Sequence, residues 1–373
     1  MKVLVLNYEF PPVGGGGGAV SAMISKGLIA AGHDVRVQTG HFKGLNKRET
    51  RDGYELFRNG SSRKKLDTCT VWEMFRILCA NIWPVLRHCR TWKPDVIHVH
   101  FAVPTGALAW LANVFYGVPY LMTTHLGDVP GAVPEQTDRL FKWIKFLTWP
   151  IWKRAAKVTA VSNFVRDLGE KAYGYPVQTI FNPADLADVE VSGHSNDLRI
   201  LFAGRFNPQK NLPFLVKILS GLKNKPWSCI LAGDGPQMEE VRQLVRDHGL
   251  EDRFSFPGWV SPTEVNKLMS RSDVLLMPSL SEGLPVVGVQ ALAHGLAVVG
   301  SRIGGLLDVV EDGKNGWLVE SDDLDGFRDV LIQLMNDKEL RAAFKSASLE
   351  KSKQFEIGEI TRQYALLMEE IRR

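Results

Sequence analysis

The stretch Arg199-Ile200-Leu201-Phe202-Ala203-Gly204-Arg205 decides the fold, because it restarts a pattern that the chain has already used once. Its apolar residues predict a short buried strand, and the apolar spacing over Leu212–Leu222 predicts a helix behind it. The N-terminal half opens in the same way, with an expected strand over Val3–Leu6 and an expected helix over Val20–Ala31. Such alternation predicts parallel sheets that carry helices on both faces.

The same alternation continues through both halves of the chain. The further strands that we expect are Val35–Thr39, Val96–Val99, Tyr120–Thr124, Val158–Val161, Gln178–Phe181, Trp227–Ala232, Phe254–Phe256, Val274–Met277, Ala297–Gly300 and Gly316–Val319. We therefore predict an α/β protein with two Rossmann-like domains facing across a cleft, where a small-molecule site is expected. The N-terminal domain is predicted over 1–187 plus about 357–373, a helical segment that returns to it. The C-terminal domain is predicted over 188–356, and polar residues 188–197 are the expected linker.

The composition is that of an ordinary globular protein, with 45% hydrophobic and 23% charged residues in a chain of 373. The four cysteines form no C-x-x-C pair, so neither a zinc motif nor a redox motif is indicated. The apolar start is too short for a signal peptide, and no apolar run is long enough for a membrane span. A cytoplasmic location is expected, with a peripheral position on the inner face of the cytoplasmic membrane as the alternative.

Positive charge is concentrated in the N-terminal half. Residues 1–186 carry 23 Lys and Arg against 14 Asp and Glu, whereas the remainder carries 22 against 27. This excess of positive charge suggests an anionic partner for the N-terminal half, which could be an acidic acceptor, a phospholipid surface or nucleic acid. The alternative is an ordinary solvated surface. Residues 139–154 mix aromatic and basic side chains as a helix in an anionic membrane surface does, or as a helix packed on its own domain. No stacking or groove-reading motif supports nucleic acid, so none is predicted.

A run of glycines, Gly14 to Gly18, separates the first expected strand from the first helix. Glycine lets backbone N–H groups approach an anion, and the helix N-terminus adds positive potential. A phosphate or an anionic acceptor group is one interpretation, and a flexible loop is the other. No acidic residue follows at the spacing that binds a ribose, so a dinucleotide cofactor is not expected.

The segment that opens the second half of the chain carries two cations at a strand-to-helix turn, Arg205 and Lys210. An Arg fork and a Lys point charge can clamp a diphosphate together, although exposed surface cations are the commoner fate of both residue types. A second such turn holds a lone carboxylate, Glu282, with Gln290 two helical turns further on. Glu282 is placed to accept hydrogen bonds from sugar hydroxyls, and a helix cap is the alternative role.

Histidines lie at the ends of two neighbouring predicted strands. His98 and His100 share one face of the first strand, and His125 ends the second. The carboxyl ends of parallel strands form the ligand-facing edge of a sheet, so these rings are candidates for binding as well as for structure.

Taken in order, these motifs resemble glycosyltransferase family 4 over nearly the whole chain. The residues that carry the resemblance are Pro11-Pro12, Gly15-Gly16, Gly32–Val35, Asp95–His100, Thr123–His125, Val161-Ser162, Asn182–Asp185, Gly204-Arg205, Lys210, Ala232–Pro236, Gly304-Gly305 and Asn315-Gly316. The resemblance implies a GT-B fold and a retaining, metal-independent hexosyltransferase that needs no cofactor. Its donor is a UDP- or GDP-sugar, and its acceptor is expected to be an envelope polysaccharide or a lipid-linked glycan.

The resemblance also assigns roles to residues. Arg205 and Lys210 stabilise the leaving diphosphate, Glu282 binds the hydroxyls of the donor sugar, and His125 lies beside that sugar. The further donor-binding residues are Gly15, Gly16, Gly204, Gly233, Leu284, Pro285 and Gln290. His100 and Asp128 are assigned to the acceptor.

The chain departs from the family pattern at two positions. Gln290 stands where the family has a glutamate that binds the ribose, and its amide oxygen accepts hydrogen bonds without charge. Asp308 replaces a longer glutamate. These changes leave open a non-catalytic or weakly active nucleotide-sugar-binding module, and a nucleotide-sugar epimerase is the further alternative.

Overall fold

The computed structural model describes residues 1–61, 63–66, 68–131, 145–185 and 196–372. The chain divides into two compact units, Met1–Pro183 with Ile357–Arg373, and Ala184–Glu356. The linker expected over 188–197 lies mostly outside the described residues, as does the first part of the basic aromatic segment, residues 139–144.

The described part of the N-terminal unit contains an eight-stranded sheet. Its strands are β1 (Lys2–Leu6), β2 (Asp34–His41), β3 (Arg48–Arg51), β4 (Tyr54–Ser61), β5 (Val96–His100), β6 (Tyr120–Thr124), β7 (Lys157–Ala160) and β8 (Val177–Thr179). The order is β3-β4-β2-β1-β5-β6-β7-β8, and only the β3–β4 pair is antiparallel. The central strands are apolar because helices cover both of their faces.

Five helices accompany the described strands of this unit. They are α1 (Gly16–Ala30), α2 (Val71–Thr91), α3 (Gly106–Tyr116), α4 (145–154) and α5 (Asn163–Tyr173). The N-terminus of α2 is closed by a capping box, in which Thr70 and Glu73 bond each other's backbone N–H. Pro84 lies inside this helix, and a proline there disguises the helical pattern in the sequence.

The C-terminal unit has a six-stranded parallel sheet within its described residues, in the order β11-β10-β9-β12-β13-β14. The strands are β9 (Leu198–Ala203), β10 (Trp227–Ala232), β11 (Phe254–Gly258), β12 (Val274–Met277), β13 (Ala297–Ser301) and β14 (Gly316–Val319). The helices are α6 (Leu212–Ser220), α7 (Met238–Asp247), α8 (Pro262–Met269), α9 (Val286–Ala293), α10 (Leu306–Val309), α11 (Leu324–Asn336) and α12 (Lys338–Ser352). Apolar residues of the sheet, α6, α7 and α11 form one buried core.

The last helix, α13 (Ile357–Arg372), packs on the N-terminal unit. Its Thr361 lies against α1, where a Cβ on Gly27 would stand 2.1 Å from the Thr361 hydroxyl oxygen. Glycine at position 27 therefore permits the close approach of the two helices. The predicted class of two Rossmann-like parallel sheets is confirmed. Among the described residues, every helix is too short or too polar to cross a membrane.

Candidate active site

Two glycine turns meet at the carboxyl ends of β9 and β10. The Gly204 N–H donates to the carbonyl of Ala232 at 2.9 Å. A Cβ on Gly233 would stand only 1.8 Å from the Gly204 carbonyl oxygen, and Gly233 has a φ of 146°. A side chain at Gly233 would therefore force the two turns apart, and with them the segment that carries Arg205 and Lys210.

Lys210 ends a short helical turn, Pro208–Lys210, that follows β9. Its Nζ lies 2.5 Å from Oε1 of Glu282, and both side chains are largely buried. The neighbouring Gln209 ties the same two loops together, because its Nε2 donates to the Ser281 carbonyl at 2.7 Å and its carbonyl accepts from the Leu280 N–H at 2.8 Å. The structure thus joins the two predicted strand-end motifs through an ion pair and two backbone contacts.

Gly304 and Gly305 support the turn that carries Glu282. The Gly305 N–H donates to the Glu282 carbonyl at 2.9 Å. A Cβ on Gly304 would lie 2.2 Å from that carbonyl oxygen, and one on Gly305 would lie 1.6 Å from the Gly283 oxygen. The Gly-Gly motif therefore holds the backbone around Glu282 by close contact that any larger residue would break.

Arg205 lies in the same turn as Lys210 but, unlike Lys210, forms no ion pair with a described residue. Its side chain is half-buried, and it has no hydrogen-bond or ion-pair partner within the part of the chain that the structure describes. A guanidinium carries five N–H donors in a rigid fork, so an unpaired one beside a strand end is free to take an anion.

The remaining donor-side residues surround the start of α9. Leu284 and Pro285 are buried, and Pro285 is the residue immediately before the first helical residue. Gln290 is half-buried on α9, and its side-chain amide has no partner among the described residues. An uncharged amide is therefore available there for hydrogen bonding with a ligand.

In the N-terminal unit, α1 begins within the glycine run. Gly15 precedes the first helical residue, Gly16, and no side chain caps this end. A Cβ on Gly14 would lie 2.4 Å from the Cβ of Glu9, and one on Gly17 would lie 2.5 Å from the Phe101 ring. The run is therefore packed, which differs from the flexible loop that the sequence left open.

Three histidines line up behind the carboxyl ends of β5 and β6. His98 and His100 are fully buried, and His125 is nearly so. His98 Nε2 is 2.8 Å from the Thr123 hydroxyl, and His100 Nδ1 is 3.3 Å from His125 Nε2. His100 is thus placed to orient His125, and its assignment to the acceptor stays a prediction.

Burial sets the ionisation of these rings. It lowers the pKa of His98 and of His125 to about 3, and the neighbouring His125 lowers the pKa of His98 further. Burial, with His98 and His125, also lowers the pKa of His100 well below its usual range. All three rings are therefore neutral near neutral pH, so His125 can offer a hydrogen bond but no charge.

Asp128 closes the turn that follows His125. One of its oxygens accepts from the Ala102 N–H at 2.8 Å and the other from the His125 N–H at 2.9 Å. Burial raises the pKa of Asp128 to about 7, while these backbone donors favour the ionised form. The carboxyl thereby joins the turns after β5 and β6, and its assignment to the acceptor stays a prediction.

Two sequence profiles match the chain consecutively. The profile described as "Glycosyltransferase Family 4" matches residues 14–188, and that described as "Glycosyl transferases group 1" matches 187–351. The chain belongs to glycosyltransferase family 4. It is therefore a glycosyltransferase, and the family resemblance expected from the ordered motifs is confirmed.

Characterised relatives of this glycosyltransferase differ widely in what they make. N-acetyl-alpha-D-glucosaminyl L-malate synthase of Bacillus anthracis is 27% identical, over 75% of each chain. D-inositol 3-phosphate glycosyltransferase of Mycolicibacterium smegmatis is 29% identical, over 74% of this chain and 68% of the relative. Glycogen synthase of Mycobacterium tuberculosis is 26% identical, over 90% of this chain and 86% of the relative.

Solved structures share the fold of this glycosyltransferase at low sequence identity. Sucrose-phosphate synthase from Thermosynechococcus elongatus superposes with a TM-score of 0.87 at 19% identity, covering 99% of this chain and 98% of that one. HepE of Anabaena, solved with UDP-glucose, has a TM-score of 0.78 at 19% identity and covers 99% of this chain and 100% of its own. The fold is GT-B.

Sequence reasoning missed two residues near the glycine run of this glycosyltransferase. Glu9 is buried against Gly14 and lies 3.9 Å from Arg63. Phe101 stacks on His125 with ring centroids 4.3 Å apart, and it has a φ of 70°, unusual for a bulky residue. Nothing in the sequence around Glu9 marks it as a site residue. Phe101 could have been identified, because it directly follows the His-x-His motif at the end of a predicted strand.

Proposed function

We propose that this glycosyltransferase moves a hexosyl group from a UDP- or GDP-sugar to an acceptor, with retention at the anomeric carbon and without a divalent metal. The observation that carries the proposal is the turn after β9, where Arg205 has no partner among the described residues and Lys210 is paired with Glu282. One cation is free to bind the outer phosphate, and the other is already oriented by a carboxylate. Together they supply the charge that a metal ion supplies in other diphosphate sites.

The reaction places its charge where these residues lie. The bond between the anomeric carbon and the diphosphate oxygen breaks, and a bond from the acceptor hydroxyl forms on the same face. The acceptor proton goes to the departing phosphate oxygen. Because negative charge grows on the leaving diphosphate, Arg205 and Lys210 interact more strongly with the transition state than with the bound donor.

Glu282 has two tasks in this proposal. Its ion pair fixes Lys210 before the donor arrives, and its second oxygen is the one proposed to accept from a sugar hydroxyl. Gln290 takes the ribose with a neutral amide, so ribose binding is weaker than a carboxylate would give. HepE was solved with UDP-glucose, which supports a uridine nucleotide as the first donor to test.

In the N-terminal unit we propose that His125 contacts the donor sugar. Its neutral ring is held from behind by His100 and from the side by Phe101. Asp128 fixes the backbone on both sides of this ring. Gly15 and Gly16 offer uncapped backbone N–H groups to the diphosphate or the acceptor.

An anionic membrane surface is the second partner that we propose, because apolar rings stand exposed among cations on the N-terminal unit. On α2, Trp72 is 65% exposed and stacks on Phe75, and Arg76 lies beside them. On α4, Phe146 is 83% exposed, and Lys153 lies over the Trp149 ring. Rings that enter a lipid interface beside cations fit an acceptor linked to lipid.

This surface predicts salt-sensitive binding to anionic vesicles. The pair Trp72→Ser and Phe75→Ser should weaken sedimentation with phosphatidylglycerol vesicles by about tenfold or more, since each buried ring contributes roughly 1.5–3 kcal/mol. Trp259→Ser, at an exposed ring of the C-terminal unit, is the matched control and should bind normally. If the wild type, the double variant and Trp259→Ser bind equally, or if the wild type does not bind, the proposed membrane contact is wrong.

A panel of UDP- and GDP-sugars tests the enzymatic proposal itself. In EDTA, the chain should release free nucleotide from at least one donor, slowly by hydrolysis and faster when an acceptor is supplied. The anomeric configuration of the product, read by NMR, should match that of the donor. Tight donor binding with no nucleotide release would instead favour the non-catalytic module that Gln290 left open, and an inverted product would contradict retention.

A further inference from the structure

A cavity of about 430 Å³ lies between the β2–β4–β3 edge of the N-terminal sheet and the second half of α2. Among the described residues that line it there is no carboxylate. The cationic lining residues are Arg36, Lys47, Arg48, Arg58 and Arg87. The strand-end turns that hold His125 and Asp128 do not contribute to it, so the cavity is separate from the proposed reaction site.

Carboxylates outside the lining offset only part of this charge. Arg36 and Arg48 share Glu55, and Arg58 pairs with Glu49 at 2.9 Å. Lys47 and Arg87 are exposed and have no ion-pair partner in the described parts of the chain. Five lining cations against two carboxylates leave a surplus of positive charge over the cavity.

One lining cation is both buried and incompletely bonded. Arg58 is only 1% exposed, and its Nε has no hydrogen-bond acceptor among the described residues. The charge of Arg58 therefore lies in a poorly screening interior beside the cavity, where it attracts an anion more strongly than an exposed cation does. The neighbouring His88 adds no charge, because burial lowers its pKa to about 4, with Arg36 lowering it further.

The walls of the cavity include rings as well as cations. Phe57 lies inside, where Arg36 and Arg48 pack on its faces. Trp83, 74% exposed, stands among the lining residues on the α2 side. Fixed cations with planar walls suit an anionic group attached to an apolar or ring-bearing part.

We propose that this cavity binds a phosphoryl group, as a site separate from sugar transfer. The phosphoryl group belongs either to a soluble phosphate ester or to the headgroup of an anionic lipid. The proposal stands independently of the donor chemistry, because none of its residues belongs to the C-terminal unit.

The test follows the indole N–H resonance of Trp83 in the full chain while inorganic phosphate is added. The resonance is identified by its loss in Trp83→Phe. The same titration of Arg205→Ala separates the donor site from the cavity, because a Trp83 shift that comes from the cavity persists in this variant. We expect a saturable shift, and the pair Lys47→Gln and Arg87→Gln should weaken it by about tenfold or more, since charge-assisted hydrogen bonds to the anion are lost.

The control pair is Arg90→Gln and Lys171→Gln, which removes the same charge from exposed positions of the N-terminal unit outside the cavity. It should keep the phosphate shift. A second arm uses phosphatidylcholine vesicles with and without phosphatidic acid. If free phosphate gives no shift but phosphatidic acid binding falls more in the cavity pair than in the control pair, the ligand is a lipid headgroup.

The two arms separate failure of this proposal from failure of the enzymatic one. No phosphate shift, together with equal loss of phosphatidic acid binding in both charge-matched pairs, would overturn the cavity as a site. Nucleotide release from the donor panel is measured independently and is unaffected by that result.

Discussion

Arg205→Ala is expected to slow sugar transfer by about 10²–10³-fold, the loss that follows removal of one preorganised contact to developing charge. The guanidinium has no partner among the described residues, so its removal breaks no contact that holds the fold. The free energy of unfolding should therefore change by no more than about 0.5 kcal/mol. Steady-state rates of nucleotide release, together with urea unfolding, measure both quantities.

The control for this variant is Arg246→Ala on α7, which removes an exposed arginine whose side chain bonds the exposed Gln243. It should keep the wild-type rate. A slow Arg205→Ala protein that is also strongly destabilised would mean that the side chain supports the fold instead of the leaving group. A rate within about threefold of the wild type would remove Arg205 from the chemistry.

Lys210→Met should have a large effect of a different kind. Its Nζ lies 2.5 Å from Oε1 of the buried Glu282 carboxylate. Removing one member of a buried pair leaves an uncompensated charge, which costs up to about 3–5 kcal/mol. The variant should therefore lose both sugar transfer and local stability, whereas Arg205→Ala loses only the first.

A double-mutant cycle separates these contributions. Glu282→Gln alone should cost less than Lys210→Met, because the lysine is the more exposed partner and can be solvated. The double variant should regain stability relative to Lys210→Met but no activity. Native-state hydrogen exchange of the β9 and β12 amides reads the local free energy of opening. Additive effects in this cycle would show that the two side chains do not interact.

The sequence predicted the strands best where they are buried and apolar. β1, β5, β6, β9 and β12 are short apolar runs because helices cover both faces of the sheet, and their positions matched expectation. The β3–β4 hairpin was not predicted, because β3 contains no apolar residue and the alternation of buried Tyr54 and Leu56 in β4 is short. The capping box at Thr70 could have revealed α2 despite Pro84.

The sequence predicted those features of the candidate site that depend only on which residues follow the ends of strands. Arg205, Lys210 and Glu282 each follow a strand of one parallel sheet, and this alone places them on one edge. Which of them would pair could not be predicted, because the pairing depends on the loop contacts of Gln209. The burial of His100 and Asp128 likewise depends on how neighbouring turns close over them.

The proposed roles of Arg205 and Lys210 can be seen in a structure of the chain with a bound nucleoside diphosphate. We expect outer-phosphate oxygens within about 3 Å of the Arg205 guanidinium and of Lys210 Nζ, the distance of charge-assisted hydrogen bonds. The Gln290 amide should face the ribose. A diphosphate held elsewhere in the C-terminal unit, with Arg205 pointing into solvent, would show that these two cations do not bind the leaving group.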